Sequence, residues 1–172
     1  MNYQELIAAR YSVRKFSERP VEQEKLDLIL NAARLAPTAV NRQPQRILVL
    51  RNREQLEKLP RCTRSSFGCT LALLVCYDTT ATWKRKFDGA DSGVIDASIV
   101  TDQMMMAATD LGLGSTWVCS FDPAAMRAEF AIPEQLVPVN LLVMGYPAED
   151  AAPGSLHGER KPLEETVFYD HF

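Results

Sequence analysis

Between Val21 and Pro37 the apolar residues fall at helical spacing, with Leu26, Ile29, Leu30 and Ala33 at i, i+3, i+4 and i+7, which predicts a helix over 22–35. Pro20 stands before it, Glu22 and Glu24 fill its first turn, Arg34 sits near its end where a cation suits the helix dipole, and Pro37 closes it. A shorter helix over 3–10 would turn Leu6 and Ile7 inward. Apolar runs at 46–50, 70–77, 115–119 and 139–144 read as strands, the first two of them buried. A charged helix is expected over about 53–59, a short one opened by Asp122-Pro123, and a polar, irregular segment over 79–90. The longest helix should run from about Asp91 to Leu111, where Gly112 ends it. It is apolar on several faces (Val94, Ile95, Ile99, Met104, Met105, Met106), a pattern that calls for burial in a core or at a subunit interface. Past Tyr146 the chain holds Pro147, Pro153 and Pro162 with no strong periodicity, a tail that either frays or lies across another surface. Helices and strands alternate, which gives one domain over 1–172 of α/β-type or α+β class.

The chain has 172 residues, 47% hydrophobic and 24% charged, enough apolar surface to offset the entropy of ordering one domain. No stretch reaches the roughly 18 uncharged apolar residues of a membrane helix. Glu5 and Arg10 surround the few apolar residues at the N-terminus, so no signal peptide is expected there; the expected location is cytoplasmic, without a membrane partner. A net charge of −3 is unpromising for nucleic acid. The charge is unevenly spread, however: residues 1–64 hold 13 Lys+Arg against 7 Asp+Glu, and the rest hold 6 against 15. An arginine-rich first third in an acidic protein points to a local anionic ligand, although most of these arginines read equally well as solvated surface. Cys62, Cys69, Cys76 and Cys119 form no C-x-x-C pair, and His157 and His171 lie far from them, so no metal site is expected and the thiols read as small core hydrophobes.

Three short patterns carry candidate chemistry. In Arg10-Tyr11-Ser12-Val13-Arg14 an extended backbone puts Arg10, Ser12 and Arg14 on one face, and two guanidiniums flanking a hydroxyl suit a phosphate; an exposed strand with solvated arginines is the plainer alternative. In Pro37-Thr38-Ala39-Val40-Asn41-Arg42-Gln43-Pro44, Asn41 and Gln43 share a face if extended, and primary amides can read the mixed donor and acceptor edge of a heterocycle. The same residues serve equally as turn formers between prolines. Gly112-Leu113-Gly114 ends a helix and opens a strand, the reverse of a dinucleotide fingerprint, and neither a P-loop nor a G-x-S-x-G elbow is present. Arg160-Lys161-Pro162 is a further basic cluster in the acidic part of the chain.

Taken in order, R-x-S-x-R, P-x-x-x-N-x-Q-P, the long helix ending in G-L-G-S-x-W, L-L-V-M-G-Y-P and R-K-P-L-E-E resemble the FMN-dependent nitroreductase family over Arg10 to Glu165, and most closely its compact members. The resemblance implies an α+β fold layered α/β/α, with a mixed central sheet flanked by helices and a C-terminal tail swapped across a homodimer. It implies FMN at the subunit interface, with Arg10, Ser12 and Arg160 on the phosphate, Tyr11 beside them and Arg14 near the N1–C2=O edge of the ring. Asn41 and Gln43 would bond the pyrimidine side, with Pro37, Thr38 and Ala39 shaping that wall from the partner. The strand from Thr116 through Trp117 to Cys119 and Ser120 would pass the other face, its backbone N–H groups near N5. The implied activity is hydride transfer from NADH or NADPH through the flavin to a small electron-poor organic acceptor such as a nitroaromatic or quinone, by ping-pong kinetics and with no side chain strictly required as catalyst. Flavin storage or sensing, ene or dehalogenating reduction, and flavin degradation are the alternatives on the same scaffold. Position 45 is Gln where family members usually carry an aromatic residue.

Overall fold

Two central strands buried on both faces organise the molecule. The computed structural model describes residues 1–172. Its sheet contains β1 (Gln45–Leu50), β2 (Leu71–Asp78), β3 (Gly114–Val118) and β4 (Leu136–Gly145) in the order β1-β2-β4-β3, every neighbour antiparallel. Along β2, Leu71, Leu73 and Val75 pack to one side and Ala72, Leu74 and Cys76 to the other; along β4, Leu142 and Met144 oppose Leu141 and Val143. This two-sided burial is why β2 and β4 read as largely apolar runs rather than alternating ones, with buried Asn140 the exception inside β4, and each buried Leu, Val or Met among them contributes about 1.5–3 kcal/mol. The register slips at Val75/Cys76, opposite Asn140 and Pro138. At the start of β1, Gln45 is half-buried and its Oε1 has no hydrogen-bond partner.

Helices α1 (Tyr3–Ala9), α2 (Gln23–Leu35), α3 (Arg53–Leu56), α4 (Leu59–Cys62), α5 (Gly93–Asp110) and α6 (Pro123–Phe130) complete the α/β/α layering. One core joins α2 and α5 to the sheet through Leu26, Ile29, Ala97, Val100 and Met104. The other joins α4 and α6 through Leu59, Cys62 and Met126. No helix is long and apolar enough to cross a membrane. Several expectations fail. The strand at 46–50 is not buried: β1 lies at the sheet edge, with Arg46 and Leu48 exposed and only Leu50 closed off. The charged helix over 53–59 is instead two single turns, α3 and α4, because Pro60 has no N–H to donate and its ring crowds the carbonyl four residues back. Leu6 and Ile7 do not face a core: α1 has no buried residue and Ile7 is 41% exposed, since this two-turn helix rests on the outside of α5.

Along α5 the side facing the sheet is closed, with Ala97, Val100, Met104 and Ala108 fully buried, whereas Val94 and Ile95 stand 53% and 62% exposed. The tail beyond Ala151 is exposed apart from the half-buried His157, and forms short 3₁₀ turns at Ser155–Gly158 and Leu163–Glu165.

Residues 12–17 thread between β3 and the outgoing end of β4. Ser12 makes an isolated parallel bridge to Ser115 outside the four strands, whose own pairings are all antiparallel where a mixed sheet was expected. The Val13 N–H donates to Ser115 O at 3.0 Å, and Thr116 Oγ1 donates to Val13 O at 2.6 Å. On the other side the Ser17 N–H donates to Tyr146 O at 2.8 Å and the Ala148 N–H to Lys15 O at 3.1 Å. The approach depends on two glycines paired across β3 and β4, Gly114 and Gly145. A methyl group at 114 would lie 2.5 Å from Val13 Cγ2, and one at 145 would lie 2.9 Å from Thr70 Oγ1 and 3.3 Å from Phe16 Cδ1. Tyr146 then ties this corner to α2: its hydroxyl donates to Glu22 Oε2 at 2.6 Å, and the Arg19 guanidinium lies 4.0 Å over its ring.

Gly114→Ala is expected to destabilise the protein by about 1–3 kcal/mol in urea denaturation, the range for an overpacked core. Combined with Val13→Ala it should cost less than the two single changes together. The Tyr146 hydrogen bond, followed by one from Glu22's own backbone N–H and then by Arg19, lowers the Glu22 carboxyl from its ordinary 4.5 to about 2. A depressed carboxyl stabilises the fold above its unfolded pKa and loses that contribution as pH falls from about 4.5 toward 2. Tyr146→Phe should therefore flatten the acid limb of a stability-against-pH profile in that window.

Candidate functional site

The stitching of residues 12–17 to β3 forces the preceding residues to be extended, so Arg10, Ser12 and Arg14 come out on one side. They line a half-open cavity of about 410 Å³ together with Gly154, Ser155, Leu156, His157 and Arg160 from the tail. The two ends of the chain are thus joined at one place, helped by the Tyr11 ring, which meets His157 edge-on at 6.1 Å and 67°. None of the three arginines pairs with a carboxylate. Arg14 Nη1 donates to Ser12 O at 3.3 Å, and Arg160 Nη1 donates to His157 O and Glu159 O at 2.6 Å each. Beside them Lys15 is neutralised by Asp150. Three like charges gathered without a counter-ion repel one another, and an anion with several oxygens relieves that repulsion while accepting forked guanidinium donors. The sequence pointed to Arg10, Ser12, Arg14 and Arg160; it gave no reason to choose His157 or Gly154, which reach the cavity only because the tail turns at Ser155–Gly158.

The 37–44 segment lies elsewhere and is not extended. Val40, Asn41 and Gln43 have φ of 44°, 55° and 49°, in the left-handed region, with the Asn41 N–H on Thr38 O at 2.9 Å and the Gln43 N–H on Thr38 Oγ1 at 3.0 Å. Asn41 and Gln43 therefore do not share a strand face; they protrude from a tight turn, both exposed, behind exposed Pro37 and half-buried Thr38 and Ala39. A β-branched residue at positive φ costs about 1–2 kcal/mol, so something must hold Val40 there. Asp96, 1% exposed in the first turn of α5, accepts the Ala39 N–H at Oδ1 and the Ser92 hydroxyl at Oδ2, both at 2.8 Å. Sequence reasoning passed over Asp96, although an isolated acid in the first turn of an apolar helix was the available signal.

At the third place, β3 leads out of the cation cavity. Thr116 is buried and spends its hydroxyl on Val13 O, while Trp117 is half-buried against the α2/α5 core. Cys119 and Ser120 emerge exposed beyond the strand end, four and five residues on from Ser115, at most about 18 Å of extended chain. Ser120 lines a second cavity of about 490 Å³ with Thr63, Arg64 and Asp122, and its carbonyl accepts Thr63 Oγ1 at 2.6 Å. One protomer therefore brings together the cations and leads by β3 to 119–120, but it leaves the amide turn apart.

The nitroreductase family profile matches residues 7–67 and 60–146. A protein of Methanothermobacter thermautotrophicus, provisionally named NADH dehydrogenase/NAD(P)H nitroreductase, is 37% identical over 160 residues, covering 87% of this chain and 80% of its own. A solved nitroreductase family protein of Clostridium difficile 630 superposes with a TM-score of 0.94 at 46% identity, 100% of each chain being covered. An FMN-dependent nitroreductase of Clostridium difficile R20291 superposes with a TM-score of 0.78 at 26% identity, covering 97% of this chain and 98% of that one.

Burial raises the Cys69 thiol to about 12 and the Cys76 thiol to about 11, and pushes Cys62 upward too, while Cys119 alone is exposed. In flavin-free native protein at mildly alkaline pH, one thiol of the four should react promptly with a maleimide or disulfide reagent and the other three only after denaturation. Peptide mapping should place the early label on Cys119.

Proposed function

Since the chain belongs to the nitroreductase family, we propose that it works as a single-domain NAD(P)H-dependent FMN oxidoreductase whose two active sites are completed in a homodimer. The observation that carries this reading is the cavity where three arginines without counter-ions, drawn from both ends of the chain, surround Ser12. That donor set fits the flavin phosphate: forked cationic donors, a hydroxyl and no competing carboxylate. Arg10, Ser12 and Arg160 would hold the phosphate, with Tyr11 and His157 closing its wall and Arg14 toward the ring. The N–H groups of the exposed 119–120 segment, reached along β3, and the amides of Asn41 and Gln43 would complete the ring site.

Because Pro37 to Gln43 stand apart from the cation cavity within one protomer, the reading assigns them to the partner's site. Two apolar surfaces support the dimer. Val94 and Ile95 are bared on α5, and Leu163, Phe168, Tyr169 and Phe172 are bared on the tail, where Tyr169 is 82% exposed. Exposed apolar area of this kind is normally covered in an assembly. Bound FMN supplies two-electron transfer between the nicotinamide and an electron-poor acceptor. The protein's share is to bind, to orient and to exclude water, with the Arg14 cation stabilising negative charge in a partly dry setting. Both substrates would use the same face in turn, which gives ping-pong kinetics and asks for no nucleophilic side chain.

Purified protein is expected to be yellow, to release FMN on denaturation, and to consume NADH or NADPH when given a quinone or nitroaromatic acceptor. Colourless protein that ignores added FMN would overturn the reading, and flavin binding without turnover would convert it into flavin storage. Arg10→Ala or Arg160→Ala should weaken FMN binding by roughly ten- to a hundred-fold, as expected for losing a charge-assisted hydrogen bond of about 1.5–3 kcal/mol, by fluorescence titration. Added FMN should also slow the labelling of Cys119.

A further inference from the structure

In the acidic part of the chain, residues 65–172, the basic residues sit in only three places. Arg160 and Lys161 lie in the tail, and Arg127 is committed to the backbone carbonyls of Ile132, Pro133 and Leu136. The remaining three, Lys84, Arg85 and Lys86, follow one another in the arm between β2 and α5, next to Phe87. Arg85 is neutralised by Asp88, whereas Lys84 and Lys86 have no carboxylate partner and are exposed. Phe87, at the tip, is 96% exposed.

The arm is a built element. Its two limbs are joined by the Lys84–Asp91 bridge and by the Arg85 N–H on Ala90 O at 2.9 Å; its tip is closed by the Gly89 N–H on Arg85 O at 2.8 Å. At its root the Trp83 N–H donates to Ser92 Oγ at 3.2 Å, and the same hydroxyl donates to Asp96, which also holds the Ala39 N–H. Arm and amide turn are therefore anchored on one buried Ser92–Asp96 pair, and a cavity of about 320 Å³ lies between them, bordered by Ala39, Trp83, Arg85, Ala90 and Ile95.

We propose that this arm is the recognition element for the diphosphate and adenine of the nicotinamide dinucleotide, Lys84 and Lys86 meeting the phosphates and Phe87 stacking on the base. The proposal rests on the flavin reading above, in which the amide turn borders the ring. The nicotinamide must lie against that ring, so the rest of the dinucleotide extends outward past whatever stands beside the turn. No glycine-rich phosphate loop exists elsewhere in the chain, and on the flavin reading the cations of the other cavity are taken up by the flavin, Arg10 and Arg160 by its phosphate and Arg14 by its ring. Two unpaired ammonium groups complement a diphosphate, and a bare aromatic ring complements a purine, which presents a flat π-face.

The test is calorimetric titration of ADP-ribose, a redox-inert fragment, into flavin-loaded protein. Lys84→Ala/Lys86→Ala should raise its Kd roughly ten-fold and flatten its salt dependence, and Phe87→Ala should raise it several-fold, with flavin content and melting temperature unchanged in both. Since all three side chains point into solvent, the variants are expected to fold. Wild-type protein that carries FMN but fails to bind ADP-ribose, or variants that bind it as wild type does, would overturn the arm assignment alone. Protein that takes up no FMN would overturn the reading beneath it.

Discussion

The close passage of residues 12–17 over the Gly114–Gly145 pair is the constraint on which the candidate site depends. A side chain at Gly114 would lift the N-terminal segment off the sheet at Val13, and one at Gly145 would press on Thr70 and Phe16. The hydrogen bonds from Val13 to Ser115 and from Ala148 to Lys15 would then lose their geometry, and with them the alternation that turns Arg10, Ser12 and Arg14 to one side. The clustering of these cations is thus set by positions that carry no functional groups. The same passage brings the beginning of the chain beside the turn at Ser155–Gly158, so Arg160 joins cations nearly the whole sequence away.

Gathering Arg10, Arg14 and Arg160 without a carboxylate is electrostatically unfavourable in the bare protein. Its neighbourhood shows that this is local: Lys15 is paired with Asp150, and Arg19 with Glu22. Acids adjacent in sequence were available and went to the flanking cations, leaving the cavity itself positive. Such an arrangement favours whatever anion enters, because binding removes a repulsion as well as forming hydrogen bonds.

What could be read in advance follows physical range. Strands β2 and β4 were legible because burial on both faces makes them almost wholly apolar, buried Asn140 being the polar exception inside β4, and α2 because its stripe is one-sided, with Leu26, Ile29 and Ala33 buried. The clustering of Arg10, Ser12 and Arg14 was legible because it needs only an extended backbone. The turn at 38–43 was not, since left-handed Val40 and Gln43 contradict local preference and are held by Asp96, more than fifty residues onward. The break between α3 and α4 was written in Pro60, whose effect falls four residues earlier than its own position. The outward placement of Ile7 depends on what α5 leaves uncovered, which no local pattern records.

The buried Ser92–Asp96 pair holds the root of the arm and the turn at Ala39 to the same turn of helix. Residues 84–90 can consequently change in length or chemistry between fixed ends without disturbing the turn that carries Asn41 and Gln43. That makes the segment an interchangeable cassette: its charge and its aromatic tip can drift, or be grafted from a relative, while the fold beneath stays as it is.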